Sequence, residues 1–255
     1  MEKIDVFLKN IAQVVLINSK WTGLFILIGL FVADWELGLA AVLGSALSVL
    51  LAPYFNYSAE EIHNGLAGYN SVLTAIGLAL FLQSTTIAWI VLVISVILTL
   101  PLGAATREFL KSYGVPMLTF PFVLMTWLIL AMTTQFSTLS VTVDILPLHV
   151  KHPVISHHHI SWLSGITTNF SEIFLVTSIG GSVLILIGIF LGSIKDGVYA
   201  LISSIFAVAC IALLGGDYPT IANGLYGYNA VLTGIALGAT FMTKLNKYIE
   251  IGRAH

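Results

Sequence analysis

The sequence predicts an all-α integral membrane protein. Its architecture is an inverted structural repeat of about five spans per half, with short or broken helices, and the second half is incomplete. Composition is the first reason, since 58% of the residues are hydrophobic and 9% are Asp, Glu, Lys or Arg. A soluble domain has roughly a quarter charged residues. We therefore expect lipid to surround most of the chain.

A repeated segment is the second reason. Residues 64–78 recur as residues 223–237, with eleven of the fifteen positions identical and an offset of 159 residues. The same offset pairs Gly29 with Gly188 and Phe31 with Phe190 without a gap. A glycine-rich segment carried twice by an apolar chain is typical of a duplicated membrane unit.

The apolar runs are the third reason, and they supply the individual elements. Several are shorter than the ~20 residues of a straight membrane-spanning helix, as expected for tilted or half-membrane helices. With the N-terminus cytoplasmic, the loops follow the positive-inside rule, and Lys151 is the one clear exception. Five spans in the first half would make the second half enter the membrane upside down. The runs fall at about 21–33, 37–52, 66–82, 86–102, 115–132, 183–194, 198–215 and 225–242.

These runs divide the chain into four parts. We assign residues 1–138 to the first repeat, 139–169 to a connector, 170–249 to the second repeat and 250–255 to a tail. At an offset of 159, the partner of Thr119 would be residue 278, beyond the 255 residues present. We therefore expect a truncated second repeat. Residues 250–255 do not resemble a natural ending, so we expect a tail that is not native, and a genuine short polar tail is the alternative.

Two polar residues stand at matching positions upstream of the repeated segment. Gln13 pairs with Glu172, and each opens a short apolar run that is broken before the next span. Such a side chain costs a few kcal/mol in an apolar segment unless it faces protein or water. The pair predicts two polar acceptors along one pathway. The other interpretation is an interfacial helix whose polar residue meets lipid headgroups.

Aromatic and small residues of the repeated segment form the next pattern. Tyr69 and Leu73 share one helical face, as do Tyr228 and Leu232. Two such faces related by a two-fold axis would form a narrow apolar slot, although ordinary helix packing gives the same spacing. The flanking glycines Gly65, Gly68, Gly224 and Gly227 would allow close helix approach, and Asn70 and Asn229 would bond backbone groups freed at helix breaks.

A proline-containing stretch closes the first half. Pro116 and Pro121 prevent a continuous helix, and Phe120, which precedes a proline, is expected to be extended. Carbonyls near Thr119 should then lack helical partners and form a column of acceptors with its hydroxyl. The simpler interpretation is a span that a proline initiates.

Together these elements resemble the urea transporter family over about residues 10–243. The resemblance implies passive, channel-like transport of urea through a slot with aromatic walls and a ladder of hydrogen-bond acceptors, in a homotrimer within the cell membrane. No enzyme activity, cofactor or nucleic-acid partner is implied. Leu16 and Leu175 stand where the family often has phenylalanine, which relaxes the expected selectivity. The substrate-binding residues that the resemblance implies are Gln13, Val14, Leu16, Tyr69, Leu73, Thr119, Glu172, Ile173, Leu175, Tyr228 and Leu232.

Alternative functions remain open at this stage. A channel for short amides, water or ammonia is the nearest, and a metal or ammonium transporter is a weaker one because Glu172 alone offers a charge within a span. The connector contains His152, His157, His158 and His159. Histidines bind metals, but adjacent ones cannot converge on one ion in regular structure, and no acid or cysteine accompanies them. We expect a polar loop there and no metal site.

Overall fold

The computed structural model describes residues 2–136, 138–142 and 161–241. The histidine cluster of the connector lies outside these residues. The regular secondary structure of the described residues is helical, apart from one isolated antiparallel bridge between Leu82 and Val141. The α-helices are α1 (Glu2–Ala12), α2 (Lys20–Ala33), α3 (Trp35–Leu51), α4 (Ala59–His63), α5 (Tyr69–Phe81), α6 (Thr86–Lys111), α7 (Phe120–Thr133), α8 (Trp162–Glu172), α9 (Ile179–Gly192), α10 (Ile194–Leu213), α11 (Tyr218–Ala222) and α12 (Tyr228–Ile235).

Several of these helices suit a membrane by length and composition. Among the described residues, Trp35–Tyr54, α6 and α10 are each long and apolar enough to cross one. A fourth span results if α1 and α2, which meet at a bend of 76°, count as one. Four more apolar helices are shorter, namely α5, α7, α9 and the α12 region. Short and broken helices were predicted from the interrupted apolar runs, and this prediction is confirmed.

The duplication seen in the sequence is also present in the backbone. Helices α2, α3, α4 and α5 begin 159 residues before α9, α10, α11 and α12, respectively. Equivalent side chains accept hydrogen bonds from backbone N–H groups in the first turns of these helices. Ser19 caps α2 in this way, and Ser178 caps α9. Ser58 and Asp217 likewise cap α4 and α11. The repeat therefore extends well beyond the identical segment, to the residues that start each helix.

Burial follows the pattern of a protein surrounded by lipid. Large apolar side chains are exposed along the helices, including Trp127 at 68% and Phe206 at 68%. Small polar side chains are buried instead, and Thr22, Ser45 and Ser95 have no exposed surface. Their hydroxyls are satisfied by backbone carbonyls, as membrane helices require. The chain is an integral membrane protein.

Helices α2 and α9 join the two halves of the described structure and form its most extensive helix contact. A Cβ built on Gly29 would lie 3.0 Å from the Gly181 carbonyl oxygen, and one built on Gly181 would lie 2.9 Å from that of Gly29. The Thr22 hydroxyl donates to the Gly188 carbonyl at 2.8 Å. The two helices thus pack backbone to backbone, and Gly188, the repeat partner of Gly29, lies at the same contact.

Two local predictions differ from the structure. Phe120 is the first residue of α7 rather than extended, because Pro121 occupies the opening turn, where its missing N–H needs no partner. The run predicted to end near residue 102 continues as α6 to Lys111 and includes Pro101 within the helix. Its last turns are polar, so hydrophobicity alone ended the prediction too early.

Candidate functional site

Two helix breaks with the same backbone geometry form the centre of the candidate site. After α1, a 3-10 turn over Gln13–Val15 ends at Leu16, which has the left-handed φ of 62°. After α8, Leu175 also has a φ of 62°. In each break the leucine N–H donates to the carbonyl three residues earlier, that of Gln13 or Glu172, at 3.0 Å. Leucine rarely adopts this conformation, so the surrounding packing must maintain both breaks.

Gln13 is buried at the first break, with 7% of its surface exposed. Its side-chain N–H donates to the Asn64 carbonyl at 2.8 Å. The Asn18 amide donates to the Asn64 side-chain oxygen at 2.9 Å. The side-chain oxygen of Gln13 takes part in none of the hydrogen bonds found within the described residues. This oxygen is therefore free to accept from a solute.

Glu172 is buried at the second break, with 5% of its surface exposed. One carboxylate oxygen accepts a short hydrogen bond from the Thr177 hydroxyl. Thr177 is the repeat partner of Asn18, so each break has a polar side chain five residues after its buried acceptor. The second carboxylate oxygen of Glu172 has no recorded partner in the described part of the chain. An acidic and a neutral acceptor thus occupy equivalent places.

Glycines of the repeated segment bring its turn against each broken helix. Gly65 and Gly224 have φ values of +77° and +81°, which glycine adopts without strain. A Cβ at Gly65 would lie 2.5 Å from the Lys9 carbonyl carbon, and one at Gly224 would lie 2.6 Å from that of Thr168. Both distances exclude any side chain. The predicted close approach is confirmed, and it places the repeated segment beside both breaks.

The predicted apolar wall residues come together from both halves. Most of them form or border the main hydrophobic cluster of the described structure. Leu175 lies outside that cluster and lines a neighbouring cavity with Tyr228. Tyr69 is anchored, because its hydroxyl donates to the Leu118 carbonyl at 2.5 Å. The cluster thus spans the two repeats, as a shared pathway or an ordinary core would. From the predicted set it contains Val14, Tyr69, Leu73 and Ile173, and the partly buried residues packed against it include Leu16, Tyr228 and Leu232.

A cavity of about 1030 Å³ opens between the two halves. Its walls come from α7, the end of α5 at Phe81, the segment around Ser140, and Leu175 and Tyr228 of the second half. Phe122, Trp127 and other apolar residues dominate the lining. Pockets that hold drug-sized ligands occupy roughly 300–1,000 Å³. The cavity is therefore wider than the flat slot that the repeated aromatic pairs predict.

Asn70 connects α5 to the start of α7. Its amide nitrogen donates to the Leu118 carbonyl at 3.0 Å, and its oxygen accepts from the Phe122 N–H at 3.2 Å. Thr119, at the N-cap of α7, makes no side-chain cap hydrogen bond. Asn70, which belongs to α5, caps this end of α7 instead. The prediction that Asn70 bonds backbone groups at a helix break is confirmed. Asn229 is exposed and makes no such bond within the described residues.

The predicted column of free carbonyls near Thr119 is wrong. The Thr119 carbonyl accepts from the Val123 N–H at 3.1 Å, as the first acceptor of α7. The Leu118 carbonyl already accepts from Tyr69 and Asn70. What remains at this position is the Thr119 hydroxyl, which is half-buried and has no recorded partner among the described residues.

Thr126 is a polar residue that the sequence analysis missed. It lines the cavity, is 3% exposed, and its hydroxyl is buried without a hydrogen-bond partner in the described part of the protein. A signal was present, since Thr126 follows Thr119 by seven residues and so lies two turns further along the same face of α7.

Comparison with known proteins gives one consistent result. The family described as "Urea transporter" matches residues 4–250. "Urea transporter 1" of sheep (Ovis aries) is 26% identical over 253 residues, which cover 95% of this chain and 64% of the relative. "Urea transporter 1" of rat (Rattus norvegicus) is 27% identical over the same coverage. The chain thus spans less than two thirds of the length of these relatives.

Proposed function

The chain belongs to the urea transporter family, and from this premise we propose that it carries urea passively across a membrane, along a path between its two halves. Both relatives above are named "Urea transporter 1". The proposed urea transport is the activity that their name states, and the chain matches 64% of their length.

The observation that carries the proposal is the pair of matched helix breaks. Each break presents a buried polar side chain, Gln13 or Glu172, with one oxygen that no donor among the described residues uses. A polar side chain within an apolar segment is costly unless it faces protein, water or a bound solute. Their symmetric placement across the α2–α9 contact favours a role in one pathway over two unrelated headgroup contacts.

The chemistry of urea suits such a path. Urea is neutral and planar and has four N–H donors. The Gln13 oxygen, the Thr119 hydroxyl and a Glu172 oxygen would replace its hydration in steps, which keeps the barrier low. Ions would lose their hydration among the apolar walls without sufficient compensation. Tyr69, Leu73, Tyr228 and Leu232, with Val14, Ile173 and the two leucines of the breaks, would form those walls.

The remaining architecture is part of the same proposal. The two repeats are inverted with respect to each other, and the first contains five spans. The protein resides in the cell membrane with its N-terminus in the cytoplasm, since Lys3, Lys9, Arg107 and Lys111 would then face the cytoplasm. Three copies form a homotrimer, with one path in each protomer.

Urea flux into proteoliposomes tests the proposal. We expect flux well above that of empty vesicles, with sheep Urea transporter 1 as the positive control. Thr119→Val should reduce it severalfold, because one hydroxyl is lost at constant volume, whereas Thr119→Ser should retain most of it. Absence of urea flux from the wild-type chain alongside an active control would refute the function. Equal flux in the wild type and both variants would remove Thr119 from the path.

A channel for short amides is the second candidate. Leucines at positions 16 and 175 are half-buried and offer less rigid walls than aromatic rings would. An acetamide arm in the same flux assay separates the two candidates. Acetamide flux without urea flux would favour the second.

A further inference from the structure

The hydroxyl of Thr126 is unusual among the buried hydroxyls of the described helices. Many helical serines and threonines here donate to a backbone carbonyl, either of another helix or of their own, as Ser95 does to Val91 and Thr133 does to Leu130, each at 2.7 Å. Thr126 does neither this nor any other bonding in the described part of the chain. A buried hydroxyl left unpaired destabilises a fold, and valine would fill the same space without that cost.

The surroundings of this hydroxyl come from both halves of the protein. A Cβ built on Gly77 would lie 3.7 Å from the Thr126 oxygen, 3.6 Å from Leu175 Cδ1 and 3.1 Å from the Phe122 ring. The absence of a side chain at Gly77 therefore allows close packing at the point where α5, α7 and the second helix break meet. Leu175 belongs to that break, and it lines the large cavity together with Phe122 and Thr126.

The position along α7 relates Thr126 to Thr119. Seven residues correspond to about 10 Å along a helix and return to nearly the same face. A small neutral solute that leaves one hydroxyl would meet the next after a distance of two helical turns. Phe122 and Val123 lie between the two threonines on this face, and both line the cavity.

We propose that the Thr126 hydroxyl is a second solute-binding hydroxyl of the path, which exchanges a hydrogen bond with urea beside Gly77. This inference rests on the proposed urea transport. It assigns to Thr126 a specificity-determining role, because a hydroxyl without a protein partner favours solutes that hydrogen-bond over apolar solutes of equal size.

The test compares Thr126→Val, Thr126→Ser and the matched control Thr133→Val in urea flux and thermal unfolding. Thr133 lines the same cavity, but its hydroxyl already bonds to its own helix. We expect Thr126→Val to lower urea permeability about fivefold, equivalent to about 1 kcal/mol, without lowering the unfolding temperature. Thr126→Ser and Thr133→Val should stay close to the wild type.

The outcomes separate this inference from the function on which it rests. Wild-type flux with an unaffected Thr126→Val variant would overturn the inference alone. Equal losses in Thr126→Val and Thr126→Ser would also overturn it, since they would indicate packing rather than hydrogen bonding. No flux from the wild type, with an active sheep control, would overturn the proposed function and this inference with it.

Discussion

Asn70 allows the sharpest test of how the start of α7 is held. Replacement by alanine leaves the Phe122 N–H without its acceptor, and this group lies in an apolar region. An unpaired N–H costs about 1–3 kcal/mol when it is fully buried, and this one is partly buried. The Leu118 carbonyl keeps the Tyr69 hydroxyl as a donor, so the loss of its bond to Asn70 adds little to the destabilisation. We expect a total loss of about 2 kcal/mol in the free energy of unfolding.

Thermal unfolding in detergent measures this loss. A change of 1 kcal/mol shifts the midpoint by roughly 2–4 °C for a chain of about this size, so Asn70→Ala should unfold about 4–8 °C earlier. The repeat supplies a matched control, because Asn229 is the equivalent residue and is exposed. Asn229→Ala should change stability by less than about 0.5 kcal/mol. Equal midpoints for the two variants would refute the capping role of Asn70.

Two further predictions concern Glu172 and Tyr57. Glu172→Gln should retain more urea flux than Glu172→Leu if hydrogen bonding is the requirement, and equal losses would show that charge is required instead. Burial raises the pKa of Tyr57, in the loop before α4, to about 12, and the Arg107 guanidinium beside its ring opposes this shift. The folded pKa exceeds the unfolded value near 10, so this contribution to stability holds below pH ~10 and is lost as the pH rises toward 12. Tyr57→Phe loses the hydrogen bond to the Leu100 carbonyl but should show a weaker alkaline decline, and parallel pH profiles of the midpoint would contradict this assignment.

The duplication and its consequences could be predicted from the sequence. Eleven identities in fifteen positions give the offset, and the offset then pairs Gln13 with Glu172. The structure adds the same left-handed leucine at both breaks. Glycine also carried a reliable signal, because Gly65 and Gly224 are positions where any Cβ would collide with backbone.

The contacts between distant segments could not be predicted in the same way. The column of acceptors near Thr119 was inferred from local proline geometry, but Tyr69 and Asn70 reach Leu118 from another helix. Thr126 was missed because a threonine within an apolar span usually satisfies itself on its own helix. Only the three-dimensional arrangement shows which hydroxyl remains unpaired.

The contact between α2 and α9 has a consequence for how solutes would move. Many transporters expose their site to each side in turn by rocking one repeat against the other. Here Gly29 and Gly181 bring two backbones together, and the Thr22 hydroxyl bonds across the contact to Gly188. Sliding along it would break that bond and separate the closely packed backbones. We therefore expect the two halves to act as a fixed frame, in which case solute on the far side would not accelerate exchange.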